Sequence, residues 1–373
     1  MKKIFLTTMA LLTMASASVF GMYGVDTYWW INFLTHGNQF RARLDQLGFT
    51  LGNDTIKGTF GFRNDANFGG IYGAMLNHNT GDNYNWVPTI SMGIGYTSSA
   101  IGIGVGYSAT VGQGDRKDNG KMVNRSAHTP VLVLNAMDND FRMAIPIQVY
   151  VNEIESGRNK TNVIAVSVDS QFRYYTGLDF LPQIRLYLRY GYYGYNETAG
   201  EKTKGKYAES FGFDFRIYFG AMVEEVALQP YIKLAYNGAL GKYHNFARVQ
   251  AVNAMQNAYT TQTRRWGTGV WNLQLMPALG LTANSDIVSL YLEPSLGLKV
   301  TQNGSDTQKN VKEVYGLGYN VYTEIYITPL KNLEWYFEAE IGNVAGGSGN
   351  SVKLVKGLGF NGTTGITWYL PAL

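Results

Sequence analysis

The residues best suited to act on a solute are charged side chains set singly into apolar, aromatic runs. In QIRLYLRYGYYGY (183–195), Arg185 and Arg189 share one parity with Tyr187, while Ile184, Leu186, Leu188, Tyr190 and Tyr192 share the other. Alternate side chains of a strand point to opposite faces, so one face is apolar and the other cationic. By the same parity the bases Arg41, Arg43, Lys57, Arg63, Arg142, Arg173, Arg216, Lys233, Lys299 and Lys312 oppose apolar rows. So do the acids Asp169, Asp214, Glu293, Glu324, Glu334, Glu338 and Glu340, which thicken towards the C-terminus. Facing a water-filled lumen, opposed rows of this kind set a transverse field and orient polar solutes. The plainer reading is a solvated or internally paired lining, because charged rings select only at a constriction. An inward-folded loop makes one. The candidates are segment 112–128, with Arg116, Lys117, Lys121 and Arg125, and segment 239–263.

Other chemistry is weakly signalled. His36, His78, His128 and His244 fall in expected loops, and neither a second histidine at ligand spacing nor an HExxH is present. The alternating glycines 102, 104 and 106 of IGIGVGY read as a strand with a nearly bare inner face. They fit tight curvature or close backbone approach, and no lysine or helix follows to make a phosphate loop. Asp115, Asp118 and Asn119 lack EF-hand spacing. Without cysteine there is neither a disulfide scaffold nor a cysteine metal site. The expectation is no catalysis, no cofactor and no metal, and a net charge of +4 without a basic block speaks against nucleic acid.

The elements that must position these charges are strands throughout. Charged residues are 16% and aromatics 14% of 373 residues, and mean hydropathy is −0.14, which fits strands with one wet face rather than membrane helices. Short turns are expected at 52–54, 97–100, 138–140, 176–181, 222–227, 284–286 and 329–332. Long polar segments, read as external loops, lie at 64–86, 112–128, 152–161, 196–205, 239–263, 301–310 and 343–350. Residues 25–33 supply a first strand with 34–38 as its outer loop, and 352–370 the last, for about 16 strands. A hairpin hidden at 68–76 would make about 18. The parity slip after Leu44 suggests a bulge near Asp45, and Pro146, Pro277 and Pro294 require bulges or strand ends. Tyr192, Tyr193 and Tyr195 belong to an aromatic girdle. Segment 239–263 has helical spacing at Phe246, Val249 and Val252. A soluble sandwich or propeller would need a partner layer for every apolar row, whereas a closed barrel in lipid satisfies all of them.

The N-terminus, Lys2 and Lys3 followed by an apolar run from Ile4 to Met14 and small residues, reads as a Sec signal peptide over 1–21. Cleavage fits after Ala17 or after Gly21. The expected domains are this signal and a barrel over 22–373, exported to the outer membrane with loops at the cell surface.

MKKIFLTTMALLTMASASVFGMYG and QFRARLDQLGFTLGNDTIKGTFGFR (39–63), with the tail GFNGTTGITWYLPAL, resemble the variable surface proteins of intestinal spirochaetes of the Brachyspira (Serpulina) group. The resemblance implies an abundant antigenic outer-membrane protein with variable surface loops, in homo-oligomers or complexes with related surface proteins and met by host antibodies. It carries over no functional residues. A barrel of this class also implies outer-membrane lipid and the barrel-assembly machinery as partners. Ending on Leu373 rather than an aromatic residue departs from the usual barrel terminus. Two functions follow: a porin-like passive channel for small polar solutes, or a surface antigen or adhesin whose lumen is plugged and whose loops bind host molecules.

Overall fold

The computed structural model describes residues 30–371 apart from 45, 65–87, 119–120, 157–158, 200, 224–225, 242–245, 252–268, 304–310, 344–351 and 356–357. In strand residues 64, 112–118, 121–125, 152–156, 159–161, 197–199, 201–204 and 352–355 only the backbone is described. The strands are β1 (Gln39–Arg43), β2 (Gln46–Gly52), β3 (Ile56–Asn64), β4 (Pro88–Thr97), β5 (Ile101–Asp118), β6 (Lys121–Ala136), β7 (Phe141–Ser156), β8 (Asn159–Tyr175) and β9 (Gln183–Ala199). They continue as β10 (Glu201–Tyr218), β11 (Ala221–Val223), β12 (Val226–Ala239), β13 (Trp271–Asn284), β14 (Val288–Gln302), β15 (Val314–Leu330), β16 (Leu333–Gly342), β17 (Val352–Val355) and β18 (Leu358–Tyr369). No described helix is long and apolar enough to cross a membrane.

Each long strand pairs antiparallel with its neighbours, and β1 pairs with both β2 and β18. β1–β10, β12–β16 and β18 therefore close a ring of 16, which leaves no open edge. β11 extends the β10 edge along β12, and β17 folds back on the start of β18, so residues 352–370 are a hairpin rather than one strand. The polarity is that of a membrane barrel. Arg41, on the inner face, is fully buried, whereas outward Ile94 and Leu296 are 59% and 56% exposed.

Six of the seven short turns fall where the sequence places them, and the tip of the seventh lies outside the described residues, between the paired Val223 and Val226. In three expected outer loops the described residues are strand. β5–β6, β7–β8 and β9–β10 continue as hydrogen-bonded ribbons through 112–128, 152–161 and 196–205. Polarity reports that these segments meet water, and two strands beyond the bilayer still satisfy each other's backbone. The hairpin considered at 68–76 lies outside the described residues.

The ring reaches 16 by a different route at its start. Residues 30–36 are not a strand but a turn with a 3-10 segment, Phe33–Thr35, inside the barrel. The parity slip after Leu44 is a hairpin reversal and not a bulge, since Ala42 pairs with Leu47. One expected strand is lost and one is split. The prolines do not shift the register either. Pro146, Pro277 and Pro294 pair with Val131, Ile232 and Val321, and each coincides with a break towards the other neighbour; the β6–β7 ladder is also interrupted, at Pro130. In an antiparallel strand a residue's N–H points to one side, so a missing one interrupts one side.

The glycine row explains where the turn goes. A β-carbon at Gly106 would lie 2.3 Å from the Trp30 ring, and one at Gly95 2.3 Å from Leu34 Cδ2. Trp30, Ile31, Phe33 and Leu34 fill this groove against Val131, Val133 and Ala144 and are almost wholly buried. Close approach, one of the two readings of the glycines, is thus realised.

Candidate functional site

Every expected lining residue except Lys312 lies on a strand, at a position of inward parity. Arg41 and Arg43 are on β1, Lys57 on β3, Arg142 on β7, Arg173 on β8, Arg185 and Arg189 on β9, and Asp214 and Arg216 on β10. Lys233 is on β12, Glu293 on β14, Glu324 on β15, and Glu334, Glu338 and Glu340 on β16. Lys312 precedes β15, so parity did not apply to it.

Register brings five of them into one row. Arg142 faces Arg173, Arg173 faces Arg185, Arg185 faces Arg216, and Arg216 faces Lys233. Arg142, Arg173, Arg185 and Arg216 are the second or third residue from the short-turn end of their strands. Like charges directly opposite each other destabilise a sheet. Two unit charges about 5 Å apart repel by roughly 3 kcal/mol at an effective dielectric of about 20. Tyrosines offset part of this. Arg142 lies 4.8 Å from the Tyr175 ring, Arg185 4.5 Å from Tyr218, and Arg216 5.2 Å from Tyr187. Arg185 Nε donates to Gln183 Oε1 (2.6 Å), and the Gln171 amide oxygen accepts from Arg173 Nε and Tyr187 Oη (each 2.8 Å). Asp214 takes both Nε and Nη2 of Arg216 at 2.9 Å and stands 3.9 Å from Lys233 Nζ.

The turn before β1 docks on the other end of the row. Asn32 Oδ1 accepts from Arg142 Nη1 (2.9 Å) and Arg173 Nη1 (3.3 Å), and Thr35 Oγ1 accepts from Arg142 (3.1 Å). Lys57 Nζ donates to the His36 carbonyl, and Asn38 Nδ2 donates to Gly52 O and Pro371 O. His36 is therefore a buried residue of this turn rather than a solvated loop residue. Burial, reinforced by Lys57, Arg142, Arg41 and Arg173, lowers its pKa to about 3. His128 lies on β6 at the outer face, stacked on Tyr107 at 6.0 Å. His78 and His244 lie outside the described residues.

Of the two candidate inward loops, the β12–β13 connection enters. Val249 N donates to Ser210 Oγ (2.8 Å) and Ala251 N to Ser167 Oγ (2.9 Å). Gly191 leaves the space that Val249 occupies, and Arg248 Nη2 reaches Asp169 Oδ2 at 2.5 Å. Ala251 is helical, 246–250 are not, and Val252 lies outside the described residues. The backbone positions of Arg116 and Lys117 belong to β5 and those of Lys121 and Arg125 to β6. These four sit on a paired ribbon rather than on an irregular loop.

The acids form a second wall. The one Tyr322 hydroxyl lies between Glu324 and Glu338, within hydrogen-bond reach of both (2.7 Å to the latter), and Tyr326 Oη donates to Glu324 (2.8 Å). Tyr231 and Tyr291 hydroxyls donate to Glu293 at 2.7 and 2.5 Å. Arg43 pairs with Glu338, and Arg41 lies 3.9 Å over the Tyr336 ring. The two walls are not diametrically opposed, since β15 follows β9 by five places in the ring. Tyr193 and Tyr195 share the inward parity of Arg189 and stack with Tyr207 at 5.2 and 4.3 Å, so of the three expected girdle residues only Tyr192 faces outward. Asn32, Thr35 and Arg248, together with the tyrosine partners of the charges, were not singled out from sequence. The glycine row was the available signal for the first two.

The family described as Serpulina hyodysenteriae variable surface protein matches residues 2–369. The chain belongs to that family. With the closed ring and its apolar outer face, membership makes this an outer-membrane barrel. No curated protein is similar to it. Among solved structures it is similar to the ferric yersiniabactin uptake receptor FyuA from Yersinia pestis, at 6% identity and a TM-score of 0.29, covering 89% of this chain and 79% of that one.

Proposed function

We propose that this family member is a passive outer-membrane channel for small polar solutes, with a lumen that favours anions. The observation that carries this is the conjunction of a five-cation row on β7–β12 with a loop segment folded against the wall beside it. An inward segment narrows a bore, and charge rows act on solutes where the bore is narrow. A ring of 16 strands has the diameter of the water-filled class. The protein is not an enzyme in this reading. A Sec signal over 1–21 takes it across the inner membrane, the short turns face the periplasm and the ribbons stand at the cell surface.

A second reading has its own observation. The turn at 30–36 buries four apolar side chains against the inner wall, as a plug does. On that reading the barrel displays its outer segments as a surface antigen or adhesin, alone or with related surface proteins. Swelling of liposomes carrying the refolded protein separates the two. A channel admits small solutes, and carboxylates faster than amines of equal size, whereas a plugged barrel leaves the liposomes intact.

A further inference from the structure

We infer that the open end of the cation row is a binding site for a multivalent oxyanion of the phosphate or carboxylate class. The row, with Arg189 and Arg248, gathers seven cations on one wall. The described carboxylates among them are Asp169, Asp214 and, further along, Glu293, which Tyr231 and Tyr291 already engage. Seven positive charges against three negative ones leave a net excess that tyrosine faces and amide oxygens cannot neutralise. At the Arg142–Arg173 end, the carbonyl oxygen of Asn32 occupies the place of an acceptor between two guanidinium groups.

At the other end Asp214 Oδ2 bonds Arg216 but does not close on the lysine. The Lys233 side chain is only 26% exposed, yet its nearest carboxylate oxygen, on Asp214, is 3.9 Å away, beyond hydrogen-bond reach. Arg216 spends Nε and Nη2 on Asp214, which leaves Nη1 outside that fork, and Lys233 is its partner in the register. A covered ammonium without an acceptor beside a half-engaged guanidinium suits an anion with several oxygens. A guanidinium fork and an ammonium together hold phosphate or carboxylate better than a halide. The site goes beyond the channel reading and stands on this geometry alone.

The test is the unfolding midpoint of the refolded protein in detergent micelles at constant ionic strength. The counter-anion is chloride, inorganic phosphate or propane-1,2,3-tricarboxylate. A saturable rise of the midpoint in at least one oxyanion, absent in chloride, is expected, and the active one identifies the source. Lys233→Gln removes a repelled charge without leaving a buried carboxylate alone. It is expected to raise the midpoint in chloride and to weaken the oxyanion dependence at least tenfold. Equal midpoints in all three salts, or a Lys233→Gln protein with the full oxyanion response, would overturn the assignment. No ion flow is measured, so a barrel that binds but does not conduct would count against the channel alone.

Discussion

Arg248 and Asp169, 79 residues apart in sequence, meet at 2.5 Å on the inner wall. The contact fixes a segment of the β12–β13 connection beside β8, with Val249 and Ala251 anchored on either side of Gly191 by two serine hydroxyls. Arg248→Ala removes a partly exposed ion pair, so its cost in stability is about 1 kcal/mol. The expected larger effect is on the bore: single-channel conductance should increase. An unchanged conductance in a folded variant would mean that the segment does not limit flow.

The groove for the N-terminal turn gives two severe substitutions, to be set against a mild one outside it. Trp30→Ala empties a fully buried site and is expected to cost about 3 kcal/mol. Gly106→Leu should displace the turn, because its first side-chain carbon already meets the Trp30 ring. Gly58→Ala is the control, with no neighbour closer than 3.9 Å, and should change little. Chemical denaturation read on heat-modified mobility orders the three.

Tyr322 holds two carboxylates at once, and Glu324 and Glu338 are directly opposite in the ladder. Tyr322→Phe deletes the one hydroxyl that the two like charges share, leaving Glu324 to Tyr326 and Glu338 to Arg43. A hydrogen bond to a charged group contributes about 1.5–3 kcal/mol, so a loss of roughly 2 kcal/mol is expected. Denaturation above pH 7 checks it, and adding Glu338→Gln should recover part of the loss.

His36 supplies a pH dependence whose sign is fixed. Its pKa falls from 6.5 to about 3 on folding, so the unfolded chain takes up a proton first. Stability from the seated turn is complete above about pH 6.5 and drains away as pH falls towards 3. His36→Asn, which cannot titrate, should flatten that part of the stability–pH profile, measured as the denaturation midpoint between pH 7 and pH 4.

Much of this fold was legible because two-residue periodicity is a local signal. Ile184 to Tyr192 could be assigned to lipid, and Arg185 and Arg189 to the lumen, without knowing any partner strand. Six short turns and the ring size followed from hydrophobic runs and their punctuation. The arginine row was not legible as a row, since it depends on register, which turn geometry sets between strands. The turn at Trp30 was misread because a run of apolar residues has no period to separate a strand from a buried turn. Ribbons passed for loops at 112–128 because polar strands that pair only with each other carry no apolar face. The residues that hold the charges in place, Asn32 and the tyrosines, became visible only with the contacts.

The most direct test of an anion-favouring channel is the single-channel conductance of the refolded protein in a planar bilayer, with the reversal potential under a salt gradient. The account expects discrete, reproducible steps and a reversal potential of the sign set by anion preference, shifted towards zero by Lys233→Gln. A folded, heat-modifiable barrel with no conductance would contradict it, and cation preference would show that the glutamate wall of β14–β16, not the arginine row, governs passage.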